Sequence, residues 1–314
     1  MKTDKVNCLK LFLIGFLILS GCQMKLTRPT KSTQATEKPK NESVQSQENI
    51  KTDVLPTEIN TVQSSAQLNN LSKSKNEKIG LILSGGGARS WAYVNFFKEI
   101  QKYKLMITAI GGIEWGAVVA GVYAQNGSAN EVEWEISKLK SLADKSEFLK
   151  KVFEKKSTQN LKIPFACTST NLKNQTSYIL SKGQLDTMIP YCLSAVGLAE
   201  PYADSIASLT DLAGLSQFLK NSGATKIILV NLLGARNGKI FSNSLTSVEN
   251  QYWIQAGANL NSSNYRKISG IDDIIEIDLD NINIDKFDDR KNILNNSIPN
   301  AKDQIKKIAE KYGY

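Results

Sequence analysis

The hydrophobic and polar positions of residues 77–314 alternate between short apolar runs and segments with helical spacing. The apolar runs predict buried strands at 79–83, 106–110, 163–168, 226–233 and 273–278, with a strand at 177–180 beside the third. Helical spacing predicts helices at 90–103, 114–125, 130–142, 145–155 and 184–196, and a closing helix that carries Ala301, Ile305, Ile308, Ala309 and Tyr312 on one face. This alternation predicts a three-layer α/β/α domain with a mainly parallel central sheet.

The N-terminus has the pattern of an export signal. Three lysines lie among the first ten residues, and an apolar run of nine residues follows at 11–19. A bilayer-spanning helix needs about 20 apolar residues, so the pattern is typical of a secretory signal peptide. The run ends in "LSGC" at 19–22, which resembles the lipobox of bacterial lipoproteins. That resemblance implies that residues 1–21 are removed and that Cys22 carries a lipid; an ordinary signal peptide with an incidental cysteine is the alternative.

Residues 22–76 differ in composition from the rest of the chain. They are rich in Ser, Thr, Gln, Asn, Lys and Glu and show no apolar period. Such a segment buries too little surface to offset its chain entropy, so we expect a disordered tether. The remainder, 77–314, is expected to form one domain, exported and held at a membrane, the outer membrane if the cell is Gram-negative.

Composition and charge exclude several classes of function. The net charge of +9 is dispersed, without the basic blocks or interleaved aromatics that bind nucleic acid. The chain has no histidine, which excludes His-dependent triads and His-ligated metals, and we predict neither a metal nor a cofactor. Cys167 and Cys192 are predicted either to form a disulfide, as an exported domain permits, or to be buried free thiols.

Candidate chemistry lies in two glycine turns. The first, Ser84-Gly85-Gly86-Gly87-Ala88-Arg89-Ser90, joins a predicted strand to a helix, so its bare N–H groups can bind an anion, either phosphate or a reaction oxyanion. It lacks the Lys-Ser/Thr of a Walker A loop, and the dinucleotide fingerprint fails at Ser90. Dinucleotide binding therefore stays a minor alternative, and tight strand–helix packing without a ligand is another.

The second turn is Gly112-Ile113-Glu114-Trp115-Gly116. Its glycines and its place between strand and helix give it the shape of a nucleophile elbow, G-x-S-x-G. Glutamate stands at the serine position.

Together the two turns resemble the opening of the patatin-like phospholipases. The resembling segments are "LILSGGGARSWAYV" at 81–94 and "AIGGIEWGAVVAGVYA" at 109–124, followed in order by weaker matches at 163–174, 183–201, 223–232 and 287–308. The resemblance implies an oxyanion loop formed by Gly85, Gly86, Gly87 and Arg89, and an elbow formed by Gly112, Glu114 and Gly116. It also implies lipid acyl hydrolysis by a Ser–Asp dyad in members that retain it.

This chain departs from the family pattern at three positions. Glu114 replaces the serine, and Ser90 replaces the last glycine of the oxyanion motif. Counting back from Gly223 places Ala207 where the family has its aspartate, with Asp204 and Asp211 on either side as candidate substitutes.

We therefore expect a lipid-anchored, catalytically inactive member that binds an acyl chain or lysolipid, or a partner protein of the cell envelope. The alternative is a working lipid acyl hydrolase with altered residues. Two arrangements are open for the loop. In one, the Glu114 carboxylate occupies the oxyanion site, accepting backbone hydrogen bonds or pairing with Arg89. In the other, Arg89 points away to neighbouring backbone and Glu114 is solvated at the rim.

Overall fold

The computed structural model describes residues 77–234 and 239–314. Its strands are β1 (Ile79–Leu83), β2 (Ile107–Gly112), β3 (Phe165–Asn171), β4 (Thr176–Leu180), β5 (Ser205–Ile206), β6 (Lys226–Asn231) and β7 (Asp273–Glu276). Its α-helices are α1 (Tyr93–Lys102), α2 (Trp115–Asn126), α3 (Ala129–Ile136), α4 (Lys145–Phe153), α5 (Leu185–Leu193), α6 (Ala213–Asn221), α7 (Ser247–Asn261), α8 (Ser263–Ser269) and α9 (Arg290–Tyr312). The predicted signal peptide (1–21) and the lipidated Cys22 with its tether (22–76) lie outside the described residues.

The strands form one mixed, mostly parallel sheet in the order β4-β3-β2-β1-β6-β7. Neighbours from β3 to β7 along this order run parallel, whereas β4 and the short β5 both pair with β3 in antiparallel fashion. Because β1 and β2 are adjacent and parallel, their carboxyl ends place both glycine turns at the same edge of the sheet.

Helices cover both faces of the sheet, which confirms the three-layer α/β/α prediction. Alternate residues of β1 face opposite ways: Leu81 and Leu83 belong to one buried apolar cluster and Ile82 to the other. The first cluster takes in the apolar faces of α1, α2 and α9, and the second those of α6 and α7. Both faces are buried, which is why the central strands are continuous apolar runs in the sequence.

The predicted strands and helices are present with shifted ends. The segment predicted as a helix from residue 90 begins as a 3-10 helix over Gly87–Ala92 before α1, while the helix predicted to reach residue 142 ends at Ile136. The predicted stripes on α1 (Tyr93, Phe96, Phe97, Ile100) and on α9 (Ala301, Ile305, Ile308, Ala309, Tyr312) are buried.

Three helices, α6, α7 and α8, were not predicted. In α7 the buried face consists of Trp253, Ala256, Gly257 and Leu260, so two of its four contact residues are small and give almost no apolar signal. A capping box of Thr246 and Glu249 starts this helix, and only its tertiary contacts mark the buried face.

Cys167 on β3 and Cys192 on α5 are joined in a disulfide, which decides between the two predicted states of these residues. Both side chains are fully buried. The described residues contain no helix that is long and apolar enough to cross a membrane.

Candidate functional site

A sharp turn between β2 and α2 presents Glu114. Its backbone adopts a left-handed φ of 54°, which is strained for a residue with a side chain. The flanking glycines are required by space: a Cβ on Gly112 would lie 2.3 Å from Cα of Ala117, and one on Gly116 would lie 2.3 Å from the carbonyl oxygen of Ser84. The turn therefore has the geometry of an elbow that thrusts one side chain away from the sheet.

The end of α5 holds the elbow from the other side. The Glu114 N–H donates to the carbonyl oxygen of Cys192 at 3.1 Å. Cys192 is linked through its disulfide to Cys167, which lies opposite Gly112 in the β2–β3 register. The disulfide thus connects the two segments between which Glu114 is placed.

The Glu114 carboxylate lies on the first glycine turn. Its Oε2 atom accepts hydrogen bonds from the N–H groups of Gly86 and Gly87, both at 2.9 Å. Both glycines have positive φ values, 149° and 56°, which aim their N–H groups at a common point. The carboxylate therefore fills the position that such a pair of amides would offer to an oxyanion.

Burial shifts the proton equilibrium of Glu114. The side chain is completely buried, and loss of hydration raises the pKa of Glu114 to about 7, although the N–H groups of Gly87, Trp115 and Gly86 oppose the shift. Its second oxygen, Oε1, is buried and accepts no hydrogen bond within the described residues. The expected alternative in which Glu114 is solvated at the rim is therefore wrong.

Arg89 points away from Glu114. Its Nε donates to the carbonyl oxygen of Ile282 at 2.8 Å, and its Nη1 donates to that of Leu232 at 3.1 Å. Burial lowers the pKa of Arg89 to about 10, against the opposing charges of Asp280 and Asp278, so the guanidinium stays charged at neutral pH. The expected Arg89–Glu114 pair is absent from this site, and Arg89 instead binds the backbone around the loop.

The segment 282–287, between β7 and α9, covers the glycine turn. The Ala88 N–H donates to the carbonyl oxygen of Ile284 at 2.7 Å. That same oxygen would lie 2.0 Å from a Cβ on Gly87, and the Phe287 ring packs against Trp115 with centroids 4.9 Å apart. Residues 84–94 are buried throughout, so a substrate carbonyl reaches these amides only if the cover moves.

None of the three positions considered for the aspartate hydrogen-bonds to Glu114. The Asp204 carboxylate pairs with Lys173 at 2.6 Å on the surface, and Asp211 lies beside Tyr265. Ala207 is buried, and its N–H donates to the carbonyl oxygen of Ser194.

The neighbour that sequence reasoning missed is Leu209. A Cβ built on Gly85 would lie 3.1 Å from both Cβ of Glu114 and Cδ2 of Leu209, so this leucine packs beside the carboxylate-bearing residue. Leu209 is the third residue of the segment 207–209 that the spacing from Gly223 singles out. Its apolar side chain contributes to the desolvation that raises the pKa of Glu114.

The segment that contains both glycine turns identifies the family of this chain. The model of the family described as "patatin-like phospholipase" matches residues 81–249, which include both glycine turns and more than half of the chain. The chain belongs to the patatin-like phospholipase family.

Among known proteins, it is similar to the lysophospholipases NTE1 of Scheffersomyces stipitis and Candida albicans, each 28% identical over 182 residues. These matches cover 50% of this chain, and 12% and 13% of the two relatives. The chain thus matches only about an eighth of the length of these relatives. Among solved structures, VipD from Legionella pneumophila aligns with a TM-score of 0.44 and 10% identity, over 76% of this chain and 68% of VipD.

Within the described residues, no group of three or more Cys, Asp or Glu side chains is arranged to hold a metal ion.

Proposed function

We propose that this chain is a lipid-anchored member of the family that binds without hydrolysing, with its inherited oxyanion site occupied by its own glutamate. The observation that carries the proposal is the pair of 2.9 Å hydrogen bonds from Gly86 and Gly87 to Glu114. Hydrogen bonds to an ionised group contribute roughly 1.5–3 kcal/mol each. A substrate carbonyl would have to displace both bonds before it could be polarised.

The described site also lacks the groups that ester hydrolysis by Glu114 itself would need. Attack by the Glu114 carboxylate on an ester would form an anhydride, and hydrolysis of that anhydride needs a general base. Action of Glu114 as a base on water needs space for that water, but the side chain is fully buried beside Leu209. Within the described residues, no second carboxylate hydrogen-bonds to Glu114.

A surface groove supports an acyl chain or lysolipid as the ligand. Two cavities of about 740 and 370 Å³ share Lys145, Glu200 and Pro201; most residues that line the larger one are apolar, whereas the smaller one has a mixed polar and apolar wall. Leu198 lines the larger cavity, and its Cδ1 would lie 3.0 Å from a Cβ on Gly87. The groove therefore adjoins the glycine turn but is separated from it by one leucine side chain. An envelope protein seated on this groove is the second possible occupant.

Anchoring through Cys22 and export are part of the same proposal. They rest on the basic and apolar pattern of residues 1–19 and on "LSGC" at 19–22. A tethered domain of this kind would meet lipids and envelope proteins at the membrane that holds it. Metabolic labelling with a palmitate analogue should mark the chain, and Cys22→Ala should abolish the label. Equal labelling of both proteins would refute anchoring at this cysteine.

An esterase assay tests the loss of catalysis. The purified protein is offered a short-chain chromogenic ester and a lysophospholipid, with Glu114→Ala as the site variant and Glu154→Ala, at an exposed glutamate, as its control. We expect the same background rate from all three proteins. Turnover by the wild type that is lost in Glu114→Ala alone would establish the alternative, an active hydrolase.

Two further measurements separate the parts of the proposal. Glu114→Ser combined with Leu209→Asp, at the position that lies beside residue 114, should produce measurable ester hydrolysis if the loop amides become free. Mass spectrometry of the gently purified protein should show a bound acyl lipid. If the purified protein carries no lipid but co-purifies with an envelope protein, that protein is favoured as the occupant of the groove.

A further inference from the structure

A single tryptophan of this protein lies on the surface. Trp134, on α3, is 66% exposed, whereas Trp91, Trp115 and Trp253 are at most 3% exposed. A single exposed apolar side chain is common on protein surfaces, so the position of Trp134 gains meaning only from the cavity beside it.

The exposed ring lies at a cavity of about 420 Å³. The residues that line it include Trp134, Asn126, Glu131, Glu135, Lys138 and Lys156. A second cavity, of about 410 Å³, shares Lys138, Lys151 and Val152 with the first and is floored by Phe148. We call the two together the Trp134 groove. Each part has the size of a small-ligand site, and their junction makes the groove elongated.

Polar side chains line the groove. Asn126 and Glu131, both exposed, bring a planar amide and a carboxylate to it. Gln125 also belongs to the lining, but its Nε2 atom is buried and out of reach of a bound ligand.

The charges of the groove cancel. Lys138 pairs with Glu135 at 2.7 Å, and Lys151 pairs with Glu147 at 2.6 Å. The lining charges that remain are Lys140 and Lys156 against Glu131 and Asp144, which sum to zero. A balanced lining gives no net attraction to an anionic polymer or to an anionic membrane, and it favours a ligand that is polar but uncharged.

We propose that the Trp134 groove binds a neutral oligosaccharide. One face of a sugar ring presents C–H groups that carry partial positive charge, and these can pack on the Trp134 indole face opposite Lys138, whose Nζ lies 5.5 Å from the ring centroid. The hydroxyl groups at its edge both donate and accept, as the amide of Asn126 and the carboxylate of Glu131 require. The groove shares no lining residue with Glu114 or the glycine turn, so this activity is independent of the function proposed above.

Titration of the full purified chain with neutral tetrasaccharides tests the proposal. The probes are the tetramer of N-acetylglucosamine and cellotetraose, and the readouts are calorimetry and tryptophan emission. Because the other three tryptophans are buried, a saccharide-dependent change in acrylamide quenching reports on Trp134. We expect saturable binding of at least one probe, with protection of Trp134 from quenching.

Variants locate the binding. Trp134→Ala and Asn126→Ala, both at exposed positions, should each weaken binding at least tenfold and leave the melting temperature unchanged. Tyr178→Ala removes an aromatic side chain that is 41% exposed on β4, outside the groove, and should bind as the wild type does. Glu114→Ala should also bind normally, so failure here and failure of the proposed function are distinguishable.

Three results would overturn the proposal. The first is no saturable binding of either tetrasaccharide by the wild type. The second is equal affinity of wild type and Trp134→Ala. The third is binding to phosphatidylglycerol vesicles that depends on Trp134 while no saccharide binds, which would make the groove a membrane contact instead.

Discussion

Replacement of Glu114 by glutamine should change how the stability of this protein depends on pH. Glutamine keeps a carbonyl oxygen for the Gly86 and Gly87 amides but has no proton to lose. In the wild type, burial raises the pKa of Glu114 from its ordinary value of 4.5 to about 7. The folded state therefore holds this proton more tightly than the unfolded state does.

The sign and size follow from linkage. Below pH 4.5 the carboxyl is protonated in both states, and the wild type carries no penalty. As the pH rises toward 7 the unfolded state ionises first, so the stability of the wild type falls by about 3 kcal/mol, at 1.36 kcal/mol per pKa unit. Glutamine does not ionise, so the stability of Glu114→Gln does not fall in this way. The free energy of unfolding of Glu114→Gln minus that of the wild type should rise by about 3 kcal/mol between pH 4 and pH 8.

Urea unfolding, followed by circular dichroism at several pH values, measures this difference. Neighbouring groups do not obscure it, because burial lowers the pKa of Arg89 only to about 10 and raises that of Tyr93 above its ordinary range. Glu154→Gln, at an exposed glutamate, is the control and should give a difference that is flat with pH. A flat difference for Glu114→Gln would refute the argument that the carboxyl is desolvated on the loop.

Three other substitutions test the structure that surrounds the site. Replacing both Cys167 and Cys192 by alanine should lower the free energy of unfolding by about 3 kcal/mol in urea titrations, because the closed loop spans 25 residues; an unchanged midpoint would contradict this. Gly87→Ala should lower the melting temperature much more than Gly223→Ala, since both have positive φ but only the former meets a backbone oxygen, and equal shifts would count against the tight cover. Arg89→Leu should destabilise by about 3 kcal/mol and speed amide hydrogen exchange in 282–287, because it leaves two buried carbonyl oxygens without donors, whereas wild-type exchange rates there would disprove that role.

The Glu114 site separates the features that adjacent residues predict from those that distant residues determine. The glycines of both turns and the carboxylate between them could be read directly, because each turn's shape depends on a few adjacent residues. The direction of Arg89 could not be read, since its acceptors, Ile282 and Leu232, lie 193 and 143 residues away along the chain. Leu209 was reached by counting but was not recognised, because a leucine carries no chemical signal of its own.

The missed helices have a related explanation. In α7 a buried face built partly of Ala256 and Gly257 does not stand out from the polar residues around it. Gly257 packs against Leu233 and Gly234, which follow β6, and only this contact with a distant segment identifies the face as buried.

The sequence by itself determined the α/β architecture, because buried parallel strands and amphipathic helices have distinct periods that a linear pattern records. It also determined the two glycine turns and the replacement of serine by Glu114. Tertiary structure alone decided that Cys167 meets Cys192, that segment 282–287 covers the loop and that Glu114 is desolvated. All three features depend on which distant segments pack together. The free energy of a buried charge is set by the groups that surround it in space, and not by its neighbours along the chain.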